Sequence, residues 1–351
     1  MRISCREETV KKRIRILALA MALAIGLVFS TGLPASAHEY DALHVLQEHS
    51  TAGPDLAVHE VGSNSYLVIA WVDPDGHVRL DWTPESVLYS FKSGGAGNVK
   101  LDFAKTTRPP AIAQYKTYLY VAWTDADTDY VKIVRGSDFN FSNAVVTTFT
   151  FKSYAGPDLA VYKNSLYIAY AGLDGAIRLR NSSGGMQGFS FSPVLAQLGN
   201  TQFSPAIAAG PINHLHVAWA QDGKLYHMAG DGISFSSVAS GSGSDGLVST
   251  EAPSIPSIDI DAGPTLVNLS YTAVAAVWMN DNWILTAILS RTGGGGFLPW
   301  QWRRSHWGRS GTEVGACYVS PYLHLAWTDS SLPPRWLLIG AIPLPAIWGT
   351  P

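Results

Sequence analysis

Between His38 and Pro351 the chain states one pattern six times: a short apolar stretch opened by proline, a turn, and a second apolar stretch closing on an aromatic before an acidic turn. Aligned on the closing aromatic, the second stretches are 66–71, 118–123, 166–170, 215–219, 274–278 and 323–327. They end at Trp71, Trp123, Tyr170, Trp219, Trp278 and Trp327, with spacings of 52, 47, 49, 59 and 49 residues. Ala precedes the aromatic in five of the six copies, which asks for close packing at that point. These stretches are apolar at both alternating sets of positions, so each unit must be covered on both faces by its neighbours.

Each unit reads as four strands. The first opens at Pro54-Asp-Leu-Ala, Pro110-Ala-Ile-Ala, Pro157-Asp-Leu-Ala, Pro205-Ala-Ile-Ala, Pro256-Ser-Ile-Asp and, without proline, Thr312-Glu-Val-Gly. Proline is tolerated at a strand's first residue, where no ladder hydrogen bond is needed. Asp73-Pro-Asp-Gly76, Leu173-Asp-Gly175 and Gln221-Asp-Gly223 supply hairpin turns into a third strand. A period near 50 residues, built from short strands and Asp/Gly turns, predicts an all-β, six-bladed β-propeller of four-stranded antiparallel blades. The expected blades span about 53–104, 108–152, 155–199, 203–248, 252–310 and 312–345. The last copy lacks its fourth strand, and residues 40–48 form an orphan strand, so the N-terminal strand is expected to complete blade six and close the ring.

Residues 1–37 stand apart from the repeats. Six Lys/Arg precede an apolar run, 16–29, and then Ala35-Ser-Ala37, the layout of a secretory signal peptide. The run is shorter than the roughly 20 residues that span a bilayer. The expectation is a secreted, extracellular protein of a single domain, 38–351, with no integral membrane span. That domain holds one cysteine, Cys317, so it closes no internal disulfide. Its 18 Lys/Arg against 25 Asp/Glu, a net of −7, argue against nucleic acid as a partner.

Two constellations could carry chemistry. Asp55, Asp158 and, by alignment, Glu313 follow the first-strand openings and would form one circle near a channel mouth. Carboxylates so placed can seat a cation or act as acid and base on a glycoside. They can equally satisfy backbone amides at strand starts. The segment 300–309 carries Trp300, Trp302, Arg304 and His306, which share one side if extended and suit stacking on a sugar and holding its hydroxyls. Asp125, Asp127 and Asp129 alternate like calcium ligands but lack the remaining pattern of such a loop, and a polar hairpin tip is the plainer reading; no cofactor is expected. His216 and His324, at equivalent places in two second strands, read as buried and hydrogen-bonded.

The unit Pro-x-Leu-Ala-Val, Leu-Tyr-x-Ala-Trp, Asp-Gly-x-Leu resembles bacterial secreted propellers of the sialidase-like and propeller-lectin type. Eroded versions of the sialidase Asp-box stand at Ser137-Asp-Phe-Asn-Phe-Ser142 and 230–236. The resemblance implies a propeller and, from Arg108-Pro-Pro-Ala-Ile-Ala, an arginine where sialidases hold a substrate carboxylate; the nucleophile pair is not matched. The leading expectation is a non-catalytic, carbohydrate-binding propeller for an extracellular glycan or polymer, with repeated sites giving multivalency. The alternative is a glycoside-acting enzyme using Asp55, Asp158, Glu313 and Arg108. A scaffold for a protein partner is the second alternative.

Overall fold

The computed structural model describes residues 42–84, 97–182, 196–210, 214–222, 224–236, 265–270, 273–280, 283–290, 301–305, 312–319, 322–329 and 336–343. The basic and apolar segment 1–37, read as a signal peptide, lies outside them. Residues 40–351 form one compact unit.

Its described strands make six four-stranded antiparallel sheets. The innermost strands are Asp55–Val61, Ala111–Tyr115, Asp158–Tyr162, Ala206–Gly210, Thr265–Ser270 and Gly315–Val319. Each lies against the innermost strand of the next sheet, and the sixth lies against the first, so the ring closes. The second strands, such as Asn64–Val72 and Ser165–Ala171, pair with the innermost ones, and third and outer strands follow in order. Blade six takes its outer strand from the other end of the chain. Ala42–His49 pairs antiparallel with Trp336–Pro343, from Ala42 opposite Ala341 to His49 opposite Trp336. The six-bladed propeller with its N-terminal closure is therefore the observed fold.

The apolar faces explain why one sheet cannot stand alone. In the second strand of blade one, Leu67, Ile69 and Trp71 pack with Cys317, Val319 and Ile339 of blade six. The alternate residues Val68 and Ala70 pack with Ile112, Val121 and Trp123 of blade two. The same division recurs among the described residues: Trp123, Trp219 and Trp327 face the preceding blade, and Ala122, Ala169 and Ala326, each before a closing aromatic, face the next. Each blade is thus a wedge whose two greasy faces are hidden only by both neighbours. Cys317 belongs to the closing seam, buried, with its thiol pushed well above its ordinary range by burial.

The turns after the closing aromatics need a left-handed residue. Gly76 and Gly175 take it with φ of 83° and 80°, and their N–H groups donate to Asp73 O and Gly172 O. In blade two Asp129 occupies the corresponding place with φ of 58°, and in blade four Asp222, the first residue of its turn, takes φ of 51°, which short polar side chains tolerate.

Two expected boundaries are corrected. The innermost strand of blade five begins at Thr265, not at Pro256; residues 237–264 are outside the described set. Register also places Gly315, not Glu313, at the position of Asp55, because Asp55 pairs with Ala70 and Gly315 with Ala326, the residues before Trp71 and Trp327.

Candidate functional site

The closing aromatic is Trp in five blades and Tyr in blade three, and the difference changes the local surface. Tyr170 turns its buried ring toward blade two, where it stacks on Phe151 of the outer strand Val145–Lys152 at 4.4 Å between centroids. Its phenolic oxygen accepts a 3.0 Å hydrogen bond from Arg180 Nε, two strand positions from Arg178 on the third strand. The Arg180 guanidinium lies 4.5 Å over the Phe151 ring and 5.8 Å from that of Tyr170. Phe151, Tyr170 and Arg180 so form a platform of two rings and one planar cation.

Beside it opens a cleft of about 380 Å³, walled by Lys152 of blade two and by Gly172, Leu173, Asp174 and Arg178 of blade three. Asp174 is locked to Arg178 by two 2.6 Å contacts, one from each terminal guanidinium nitrogen. The Arg178 hydrogen bonds hold the Asp174 carboxyl well below the usual carboxylate range, and the same bonds raise the Arg178 guanidinium. Leu173 at the rim is 59% exposed. A concave site with an aromatic floor and a few converging polar groups is the form small-ligand sites take.

The carboxylates anticipated at the axis are also brought together, around a small cavity of about 30 Å³, room enough to admit a water. Pro54, Pro110, Pro157 and Pro205 wall it with Asp55, Asp158, Ser204 and Glu313. Each aspartate is tied down. Asp55 accepts from its own strand at Leu56 N and from blade two at Ile112 N, both at 2.8 Å. Asp158 does the same at Leu159 N and at Ile207 N of blade four, both at 2.7 Å. Glu313 reaches from blade six to Ser204 N of blade four at 3.2 Å. Burial raises Asp55 to about 7 against the pull of the Ile112 and Leu56 amides, with Glu313 adding to the rise. Burial and then the nearby Asp55 hold Asp158 well above the ordinary range. Among the described residues no group of three His, Cys, Asp or Glu is arranged to hold a metal ion. Arg108 does not join the circle: Pro109 and Pro110 line the cavity, while Arg108 is half-exposed, with its N–H held by Thr106 Oγ1. The axial acids act as staples between blades.

Comparison with solved structures returns proteins of like fold, lectins among them. The fucose-specific lectin of Aleuria aurantia is similar over 87% of this chain and 98% of its own, at 12% identity and a TM-score of 0.56. The SapL1 lectin, solved with alpha methyl fucoside, covers 85% of this chain and 98% of its own, at 13% identity and a TM-score of 0.51. AofleA from Arthrobotrys oligospora covers 85% and 87%, at 9% identity and a TM-score of 0.52. The likeness shows the fold. Comparison with protein-family profiles and with curated proteins finds no match.

The remaining expected residues fall elsewhere on this propeller. Within the segment 300–309, Gln301–Ser305 is the outer strand of blade five, with Trp302 opposite Ala287 and Arg304 opposite Leu285. Trp300 and His306 lie outside the described residues. Asp125 is a turn cap, not an open calcium ligand: it receives Lys132 Nζ at 2.5 Å and Thr128 Oγ1 at 2.6 Å. Burial pushes its carboxyl up, but these partners outweigh it and leave it low. The eroded Asp-boxes are turn caps as well, with Asp138 receiving Ser142 N and Asp231 receiving Ile233 N and Ser234 N. His216 is buried with Nδ1 3.0 Å from Nε2 of His227, and His324 is buried at the equivalent place. The cleft of blade three was not anticipated, because its two sides come from different repeats. Its one signal in the sequence is the Tyr at a Trp position, with Arg178 and Arg180 downstream.

Proposed function

We propose that the protein is an exported, non-catalytic, carbohydrate-binding propeller whose principal sugar site is the cleft between blades two and three. The observation that carries this reading is the platform of Phe151, Tyr170 and Arg180 beside an open cavity. Aromatic faces receive the apolar side of a sugar ring, and Arg and Asp supply its hydroxyls with directed donors and acceptors. Two of the similar structures are named as a fucose-specific lectin and as a lectin in complex with alpha methyl fucoside, which supports a sugar as the ligand class. Export is supported by the basic, apolar and small-residue sequence of 1–37. A glycoside-acting enzyme built on Asp55, Asp158 and Glu313 is disfavoured by the backbone amides that already occupy those carboxylates.

A glycan array on the secreted chain tests this directly, followed by titration of the best hit. Phe151→Ser is expected to weaken binding about fivefold or more, since a lost stacking ring is worth on the order of 1 kcal/mol or more. Loss of binding in Trp302→Ala with Phe151→Ser unaffected would move the site to the outer strand of blade five. Release of reducing sugar, abolished in Asp158→Ala, would establish the enzyme instead. An empty array with a co-purifying protein would favour the scaffold.

A further inference from the structure

Resting on the assignment of a sugar to this cleft, we infer that its ligand carries an anionic substituent, a carboxylate or a sulfate, received by Lys152, Arg178 and Arg180. Among the described residues the cleft is lined by these three cations and by one carboxylate, Asp174. The domain around it is acidic, 18 Lys/Arg against 25 Asp/Glu over residues 38–351, so a locally cationic cleft runs against the composition of the whole.

Register shows how particular to blade three this is. The residue paired with the closing aromatic is Arg79, Lys132, Arg178, Tyr226, Leu285 and Leu338 in blades one to six. The next residue on the same face of the third strand is Asp81, Val134, Arg180, Met228, Ala287 and Gly340. Blade one pairs its cation with a carboxylate, blade two has one cation, and blades four to six have none. Only blade three sets two guanidiniums side by side on that face. Its turn carboxylate answers one of them, since Asp174 engages Arg178 through both oxygens. Lys152 adds a third cation from blade two, its ammonium 4.7 Å over the Tyr130 ring at the edge of the cleft.

A carboxylate or sulfate complements three cations that line one cleft and matches the planar donor fork of arginine in geometry and charge. The aromatic floor selects a ligand with an apolar face next to that anion, which a sugar acid or sulfated sugar has and inorganic phosphate lacks. An extended polyanion would meet the acidic remainder of the molecule beyond the cleft.

The experiment is titration calorimetry on the full chain with paired methyl glycosides: glucuronide against glucoside, and sulfated galactoside against galactoside. The expected result is a preference of about tenfold or more for the acidic member of at least one pair, the scale of one charge-assisted contact. The pair that shows it identifies carboxylate or sulfate as the group received. That preference should shrink in Lys152→Gln and as NaCl is raised from about 50 to about 500 mM. Equal or tighter binding of the neutral members would overturn the inference while leaving the sugar assignment standing. No binding of either pair, together with an empty glycan array, would remove the sugar assignment itself.

Discussion

The position that holds Arg180 in blade three holds Asp81 in blade one, and its titration gives the sharpest quantitative test of the structure. Asp81 is 3% exposed; its Oδ2 accepts 2.7 Å from Trp71 Nε1, and its Oδ1 is buried with no partner. Burial raises the carboxyl to about 6; the Trp71 bond and Arg79 oppose the rise, and Glu48 adds to it. A carboxyl raised from 3.8 to about 6 keeps its proton longer in the fold than in the unfolded chain. Its stabilising effect is therefore full below pH 3.8 and lost as pH climbs through about 6. About two pH units at 1.36 kcal/mol each put the loss at roughly 3 kcal/mol by pH 8. Asp81→Asn keeps an acceptor for Trp71 and never ionises. It should be more stable than the parent by roughly 3 kcal/mol at pH 8 and near parity at about pH 4. Denaturant unfolding of both proteins at the two pH values measures this, and the buried histidines, common to both, cancel in the difference. A stability gap that is the same at both pH values would show that Asp81 titrates normally and that its enclosure costs the charge little.

Acid should act on this fold in the opposite sense through its histidines. Burial lowers His324 to about 4, so below 6.5 the unfolded chain takes up a proton the fold refuses; His324→Leu should flatten the fall in stability between those values by about 1.4 kcal/mol per pH unit, read from unfolding free energies across that range. At the axis, Asp158→Ala leaves the Leu159 and Ile207 amides without their acceptor and should cost about 2–4 kcal/mol in unfolding free energy, with glycan titration unchanged. An Asp158→Ala protein of normal stability that has lost glycan binding would instead make the axis the ligand site.

The propeller was legible because its geometry constrains residue types at fixed intervals. Proline opens the innermost strands at Pro54, Pro110, Pro157 and Pro205, Ala sits where a blade meets the next, and an aromatic fills the gap to the blade before. Blade six broke the alignment for a steric reason. A Cβ on Gly315 would stand 2.5 Å from Pro54 O and 2.8 Å from Asp55 Cα, so the ring position there admits glycine alone. The blade supplies its acid two residues earlier, and the longer Glu313 reaches Ser204 N across the axis. Alignment by residue type merged these two positions. The cleft escaped for another reason: Phe151 and Lys152 lie in one repeat and Tyr170, Arg178 and Arg180 in the next, so no single repeat contains it.

What the repeats share also explains where they can differ. The aliphatic residues of the seams fix the wedge, while the third-strand position facing the closing aromatic is free to vary in polarity. Where it is Val134 or Met228, the indole N–H of Trp123 or Trp219 is buried with no acceptor, at a cost of about 1–3 kcal/mol for such a group. Asp81 supplies Trp71 with an acceptor at the expense of a buried charge. Blade three solves the same problem with donor and acceptor exchanged. Tyr170 offers an oxygen and Arg180 donates to it, so neither group is orphaned and no carboxylate is enclosed. A Trp in place of Tyr170 would set its N–H against a guanidinium that has only donors. Tyr170 and Arg180 therefore form one unit, and the cation that satisfies the tyrosine is one of the three that give the cleft its charge.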